Sequence, residues 1–285
     1  MVLSGSMVTR KLKSIDITSY TVISTGISTL ISLLISIVIT GVLAITVPNS
    51  LQVMIYVVPT IIFGTMICSI FLYFSQAYLY NVLSKKLGFI KFDIDGEYIH
   101  KISTKETALI IGSIALIIAL VVYLAFSFII PLFLSSVITI LMYASQVAVA
   151  RMVYQLMFLT ANPLYIAIGI IASVIMVFVF TLLGAYIYNV LGDSERGILV
   201  KLSEEDKYTQ LDSITPLNFA IAFGAISLIL NLVIAIIAII SGVQIFNALA
   251  SVLLSFFVAF IEAFIIALCY NFLAPKLGKL KFELD

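Results

Sequence analysis

One carboxylate in this chain sits where a carboxylate is expensive. Glu262 lies in the run FFVAFIEAFIIAL, apolar on both sides for several helical turns. An acid at the centre of a membrane-spanning helix costs about 2.5–3.5 kcal/mol on insertion scales, so the side chain is expected to face protein or water. Two roles follow. Glu262 is either a proton or cation site whose hold on its proton is strengthened by desolvation, or a protonated hydrogen bond between helices. The second carries more weight, because the positions equivalent to Glu262 ahead of two related motifs, Leu72 and Phe180, are apolar. Gln76 and Asn231 are the neutral side chains available as partners.

The related motifs are three Tyr-Asn pairs, Tyr80-Asn81, Tyr188-Asn189 and Tyr270-Asn271, each near the end of an apolar run. Tyrosine favours the membrane interface and asparagine can satisfy helix-terminal carbonyls, so a structural role is expected. Glycine follows eight residues after the tyrosine in the first and third copies (Gly88, Gly278), with lysine three further on (Lys91, Lys281). The middle copy has Gly197 nine after its tyrosine and Lys201 four beyond that. His100, the sole histidine, lies in a polar alternating stretch and reads as a solvated strand residue. Arg151 reads as a side chain that snorkels or meets a lipid phosphate. Cys68 and Cys269 sit within or at the end of apolar runs and support neither a disulfide framework nor a metal knuckle. There is no HExxH, no Walker motif, no dinucleotide fingerprint and no nucleophile-base pair. No catalytic residue, metal or cofactor is therefore expected, and an enzyme is not the favoured reading.

The elements that carry these residues follow from composition. Of 285 residues, 63% are hydrophobic and only 10% charged, and the mean hydropathy is +1.25. A soluble chain carries about 25% charge, so this is read as an integral membrane protein. A net charge of +1 argues against a nucleic-acid partner held by phosphate contacts. Spanning a hydrocarbon core takes about 20 apolar residues as helix. Such runs occur at 20–46, 53–83, 107–131, 164–190, 217–241 and 247–273. A seventh stretch, 133–159, is interrupted by Gln146, Arg151 and Gln155 and flanked by Pro131 and Asn162-Pro163. The first run is too long for a signal peptide and is read as a retained helix; the opening MVLSGS ahead of Met7 is set aside as a remnant or alternative start.

Segments 1–18, 84–106, 192–214 and 274–285 hold fourteen of the fifteen Lys and Arg, and thirteen of the fourteen acids. By the positive-inside rule these islands are cytoplasmic, with both termini inside a plasma-membrane protein. Short turns such as Val47-Pro48-Asn49-Ser50 then make the outer face. If 84–106 and 192–214 share a side, the chain between them crosses an even number of times. The stretch 133–159 is accordingly expected as an interfacial or re-entrant helix on the outer side.

The same strings recur. Asn-x-Leu is followed by SKKLGFIKFDID in the first copy, GDSERGILVKLSE in the second and APKLGKLKFELD in the third. The leads Ser14-Ile15-Asp16-Ile17, Lys101-Ile102-Ser103 and Asp212-Ser213-Ile214-Thr215 each enter a helix. Start signals accompany them: Thr18 or Ser19 as a cap, Ser103 with Glu106 as a capping box, and Thr215-Pro216 with proline at the first helical position. The tails alternate apolar and charged residues at period two, as strands do. EYIHKIS and YTQLDSI continue them after tight connections at Asp95-Gly96 and Glu205-Asp206. The fold class expected is an all-α polytopic membrane protein. It has six transmembrane helices, one interfacial or re-entrant helix, a pseudo-threefold repeat of helix pairs, and short cytoplasmic β-strands. The divisions are 1–12 as an N-terminal tail, 13–96, 97–205 with the insertion 133–159, and 206–285. A strand near 14–18 is expected beside one near 279–285, closing the set and leaving fewer exposed edges.

On the Ile15-Asp16 lead, the Tyr270-Asn271 pair and the stretch from Gly278 to Asp285, the unit resembles an uncharacterised two-helix transmembrane domain family of actinobacteria and archaea, present here as three tandem copies. The family pattern has a second glycine where this chain has Lys279 or Phe89. The middle copy matches loosely. The resemblance implies a helix pair with flanking strands and carries no activity. The function expected is a non-enzymatic accessory or scaffold protein in the lipid bilayer, whose cytoplasmic β-module binds a protein partner. The alternative is a small channel or transporter with Glu262 as its proton or cation site. Neither reading specifies an oligomeric state.

Overall fold

The computed structural model describes residues 8–46, 50–143, 145–161, 163–192, 197–205 and 207–285. The expected outer turn at 47–49, Asn162, Asp206 of the Glu205-Asp206 connection and the residues before Val8 lie outside them. The elements run β1 (Val8–Ile15), α1 (Ile17–Thr46), α2 (Ser50–Leu87), β2 (Lys91–Asp95), β3 (Tyr98–Ile102), α3 (Thr104–Tyr143) and α4 (Val147–Ala161). They continue through α5 (Pro163–Gly192), β4 (Ile198–Glu205), β5 (Tyr208–Ile214), α6 (Pro216–Ile240), α7 (Ile245–Leu277) and β6 (Leu280–Leu284). Six helices (α1, α2, α3, α5, α6 and α7) are long and apolar enough to cross a membrane. They account for the six apolar runs. Their outward residues are large and apolar, as at Val38, Ile67, Phe74 and Leu254, which is the surface a bilayer solvates.

The chain divides into two compact units, Met1–Ile110 with Leu182–Asp285, and Ile111–Thr181. In the first, α1 packs on α2 and α7, and α6 on α7. Glycines mark the closest approaches. A Cβ on Gly224 of α6 would lie 2.9 Å from the Phe256 ring of α7, and one on Gly26 of α1 would lie 2.7 Å from Leu277.

The six strands form one closed barrel in sequence order, every neighbouring pair antiparallel. Closure joins β1 to β6, with Leu12 opposite Leu284 and Ile15 opposite Phe282. The pairing of the two ends is the one that the alternation at 14–17 and 280–285 predicts. The strand itself differs from the expected 14–18: it runs Val8–Ile15 and gives way to helix at Ile17. The turn is made by Asp16, whose Oδ1 accepts the Ser19 N–H at 2.7 Å. The cap is therefore Asp16 and not Thr18 or Ser19; an aspartate acceptor suits the first-turn amides. Thr215 precedes Pro216 at the first helical position as expected. Ser103 does not act as a side-chain cap, since its hydroxyl accepts the Lys91 N–H across the sheet at 3.0 Å.

Period two puts apolar side chains inside. Leu280, Phe282 and Leu284 face the interior with Ile198, Val200, Leu202 and Leu211, and Val200 and Leu211 join Ile23, Tyr270 and Ala274 in one core cluster. The alternate residues carry the charges. A ring with no edges leaves no strand for another chain to extend.

In the second unit the stretch 133–159 is not the single helix expected. Residues 133–143 continue α3 straight through Pro131, and α4 begins only at Val147, beyond Ser145 with φ of 57°. A proline removes one N–H from a helix, and in lipid the surrounding backbone stays helical because no water competes for its hydrogen bonds. At 40 residues α3 is about 60 Å long, well beyond the hydrocarbon thickness. The helices α3 and α5 meet where a Cβ on Gly112 would lie 3.3 Å from Phe178.

Candidate functional site

Each Tyr-Asn pair stands at the barrel end of its helix and holds the strand that leads into its helix pair. Asn81 Nδ2 donates to the Ile15 carbonyl at 2.8 Å, while the Ile15 N–H donates to Asn81 Oδ1 at 2.8 Å. Asn189 does the same with Ile102, at 2.9 and 2.8 Å, and its Nδ2 also reaches Thr104 Oγ1 at 3.2 Å. Asn271 does it with Ile214, at 2.7 and 2.9 Å. Ile15, Ile102 and Ile214 are the last residues of β1, β3 and β5. A primary amide carries an acceptor oxygen and two N–H donors, and the oxygen with one of those N–H groups has the geometry of a peptide group. Each asparagine thus substitutes for a neighbouring strand where the ladder runs out.

The tyrosines complete the grip. Tyr80 donates to the Leu12 carbonyl at 2.7 Å, Tyr188 to that of Ile99 and Tyr270 to that of Leu211. Two of the hydroxyls also accept from the strand after the helix pair: the Ile198 N–H bonds to Tyr188 at 3.2 Å and the Leu280 N–H to Tyr270 at 3.3 Å. Their exposures are 4%, 7% and 4%. The expected belt tyrosines and helix-capping asparagines are therefore corrected: the tyrosines are buried within the protein, and the asparagines bind strand ends rather than helix carbonyls.

The motif glycines serve two needs. Gly88 and Gly278 end α2 and α7 with φ of 99° and 102°, a region open to glycine. Gly197 is needed for space, since a Cβ there would lie 2.5 Å from the Ile99 carbonyl oxygen. Gly192, at the end of α5, is tighter still, with His100 O at 1.9 Å from a built Cβ. His100 Nδ1 lies 3.0 Å from the Gly192 carbonyl oxygen, so the half-buried histidine contacts a helix end and is not merely solvated.

The intramembrane residues do not assemble. Gln76 Oε1 accepts from Tyr20 at 3.0 Å, and Asn231 Nδ2 donates to the Ser227 carbonyl of its own helix at 2.9 Å. Glu262 lies on the exposed side of α7 rather than in a helix contact, and among the described residues it has no hydrogen bond or ion pair. The inward stripe of α7 is Ala263, Ala267, Tyr270 and Ala274. One residue along a helix is a turn of about 100°, which carries Glu262 off that stripe.

Ion pairs brace the barrel exterior. Lys13 meets Asp285 at 2.7 Å across the β1–β6 closure, Lys279 meets Asp212 at 2.7 Å, and Lys281 meets Glu205 at 2.7 Å. The Lys279 ammonium, then the Ser203 hydroxyl, hold the Asp212 carboxyl below its ordinary value, and Lys281 does the same for Glu205. Lys13 lowers Asp285 and is itself raised by it. Among the described residues no group of His, Cys, Asp and Glu is arranged to hold a metal ion.

Sequence reasoning missed the receiving residues Ile15, Ile102 and Ile214. A signal for them exists: each stands directly before a polar residue that opens a helix, Asp16, Ser103 or Thr215. Set against protein-family models, curated proteins and solved structures, the chain matches none.

Proposed function

We propose that the chain is a non-enzymatic membrane scaffold whose helix pairs hold a β-barrel at the cytoplasmic face, where its charged exterior binds a protein partner or assembles a complex. The observation that carries this reading is the paired hydrogen bond of Asn81, Asn189 and Asn271, which fixes the barrel's strands to the ends of the helices. The polar chemistry of the molecule is concentrated on keeping a polar module in one pose above the spans. The three equivalent clamps also support a pseudo-threefold repeat of helix pairs along the chain, the kind of unit that resembles the actinobacterial and archaeal domain family. In the middle unit α4, at 15 residues about 22 Å long, is too short to cross and fits an interfacial or re-entrant helix on the outer side. The sorting of lysine and arginine supports termini in the cytoplasm and a plasma-membrane location.

A photoreactive amino acid at the exposed Lys201 or Glu204 tests the reading in living cells. A discrete adduct with one protein, lost on reversing the surrounding charges, is the expected result; absence of any adduct around the barrel removes the scaffold. The second reading, a channel or transporter, draws on the unpartnered Glu262. A proton or cation flux in reconstituted vesicles that Glu262→Gln abolishes would replace the scaffold with it.

A further inference from the structure

The interior of the barrel is not filled by its own side chains. A cavity of about 270 Å³ lies inside it, between Phe92, Val200, Leu211 and Phe282 of the strands and the rings of Tyr20 and Phe219. Protein interiors ordinarily pack with few voids larger than a water molecule. An apolar cavity of about 150 Å³ stays dry and takes up benzene or xenon, and this one is larger. Every lining residue is apolar except Tyr20, whose hydroxyl is engaged with Gln76 Oε1 at 3.0 Å. Water would find no hydrogen-bond partner there, and neither would a polar headgroup.

The walls differ in kind. Around the side the barrel is closed by hydrogen-bonded strands, so nothing enters laterally without breaking the ladder. The helices contribute two side chains to the lining, Tyr20 in the first turn of α1 and Phe219 in the first turn of α6. A ring can move aside by a rotamer change, whereas parting a closed ladder breaks several backbone hydrogen bonds at once. Both helices are long and apolar enough to enter the bilayer, so the reservoir nearest to these rings is hydrocarbon.

We propose that the barrel cavity is a binding site for a single hydrocarbon chain, the acyl tail of a membrane lipid drawn in past Tyr20 and Phe219, with its headgroup left outside at the helix ends. The site does not depend on the scaffold reading; a barrel that holds a lipid tail is docked to the membrane surface whatever its exterior binds.

The test uses the full-length protein in nanodiscs of phosphatidylcholine, a fraction of which carries a diazirine at the end of one acyl chain. A second arm supplies a free diazirine fatty acid to the protein in detergent. Illumination is expected to label peptides of β4 and β6 from the phospholipid, besides the lipid-facing helices. Val200→Phe and Ile94→Phe place an aromatic ring in the cavity, and each is expected to lower barrel labelling by about tenfold while leaving helix labelling unchanged. An excess of unlabelled acyl chain is expected to lower it in the wild-type protein, which keeps the test informative if either variant does not fold. Labelling from the fatty acid alone overturns the lipid-tail source. A barrel unlabelled in both arms, labelling that survives both substitutions in folded protein, or labelling indifferent to competitor overturns the site.

Discussion

An asparagine that bonds both polar groups of one strand residue is hard to replace. Asn271→Ala strands the N–H and carbonyl of Ile214 in a half-buried place, at a cost of about 1–3 kcal/mol. Asn271→Asp keeps the acceptor but turns a carboxylate oxygen toward the Ile214 carbonyl, so at neutral pH it is expected to melt no higher than the alanine variant and to recover on acidification. Thermal unfolding by circular dichroism at two pH values checks this; an Asn271→Asp protein as stable as wild type at neutral pH would remove the clamp's donor half. Tyr270→Phe, which loses the buried hydroxyl that donates to Leu211 and accepts from Leu280, should likewise cost about 1–3 kcal/mol. Glu262 behaves oppositely. On the exposed side of α7 it makes no hydrogen bond or ion pair among the described residues, so Glu262→Leu is expected to preserve or raise stability in detergent, and Glu262→Gln to leave it near wild type. A large destabilisation by Glu262→Leu would show that the carboxyl has a partner.

Glycine positions sort the junctions between elements. Gly192→Ala would drive a methyl into the His100 carbonyl, and the helix end or β3 must shift to admit it, whereas Gly64→Ala in α2 meets nothing within 4 Å. The first should reduce the yield of folded protein sharply, and the second should be neutral or stabilising by up to about 1 kcal/mol, as alanine is in a helix. Size-exclusion profiles and melting temperatures distinguish them. At this scale much was legible beforehand. Apolar runs located the six long helices because only helix satisfies backbone groups in hydrocarbon, and alternation in KFDID and LKFEL located strands because one face is buried. The strand ends that receive Asn81, Asn189 and Asn271 were not legible, since those partners lie 57 to 87 residues away. The division of 133–159 was hidden for a local reason: Pro131 signals a break in water, and α3 passes through it. The outward turn of Glu262 depends on which stripe of α7 finds α1 and α6, and periodicity in a helix apolar all round does not say.

At the scale of the whole chain, the apolar helices and the small polar ring respond to different conditions. The carboxyls of Asp212 and Asp285 are held below their ordinary 3.8, and that of Glu205 below 4.5. For a lowered carboxylate the stabilisation is present above the ordinary value and is lost as pH falls through the folded one. Lys13 is raised above 10.5, so its share is present below that value and fades as pH rises past the folded one. The barrel is therefore expected to lose stability below about pH 4 and again in strong alkali, while the helices hold. These pairs are exposed, so each contributes little and salt should flatten the acid limb. Helix and strand signals followed separately across pH check the separation; simultaneous loss of both would contradict it.

The β1–β6 closure sets an order of events in time. Strand β1 precedes every helix and strand β6 follows all of them, so Leu12 must wait for Leu284 until the entire bundle has been made. Lengthening the wait adds little to the entropy of closure, which grows only logarithmically with the intervening chain, but it slows folding, as non-local contacts do. Throughout that interval β1 presents one uncovered edge beside the membrane, the state most prone to pair with the wrong chain. A cell making this protein quickly has many such half-rings close together, and the yield of correctly closed rings should fall with the rate of synthesis even when the finished molecule is stable.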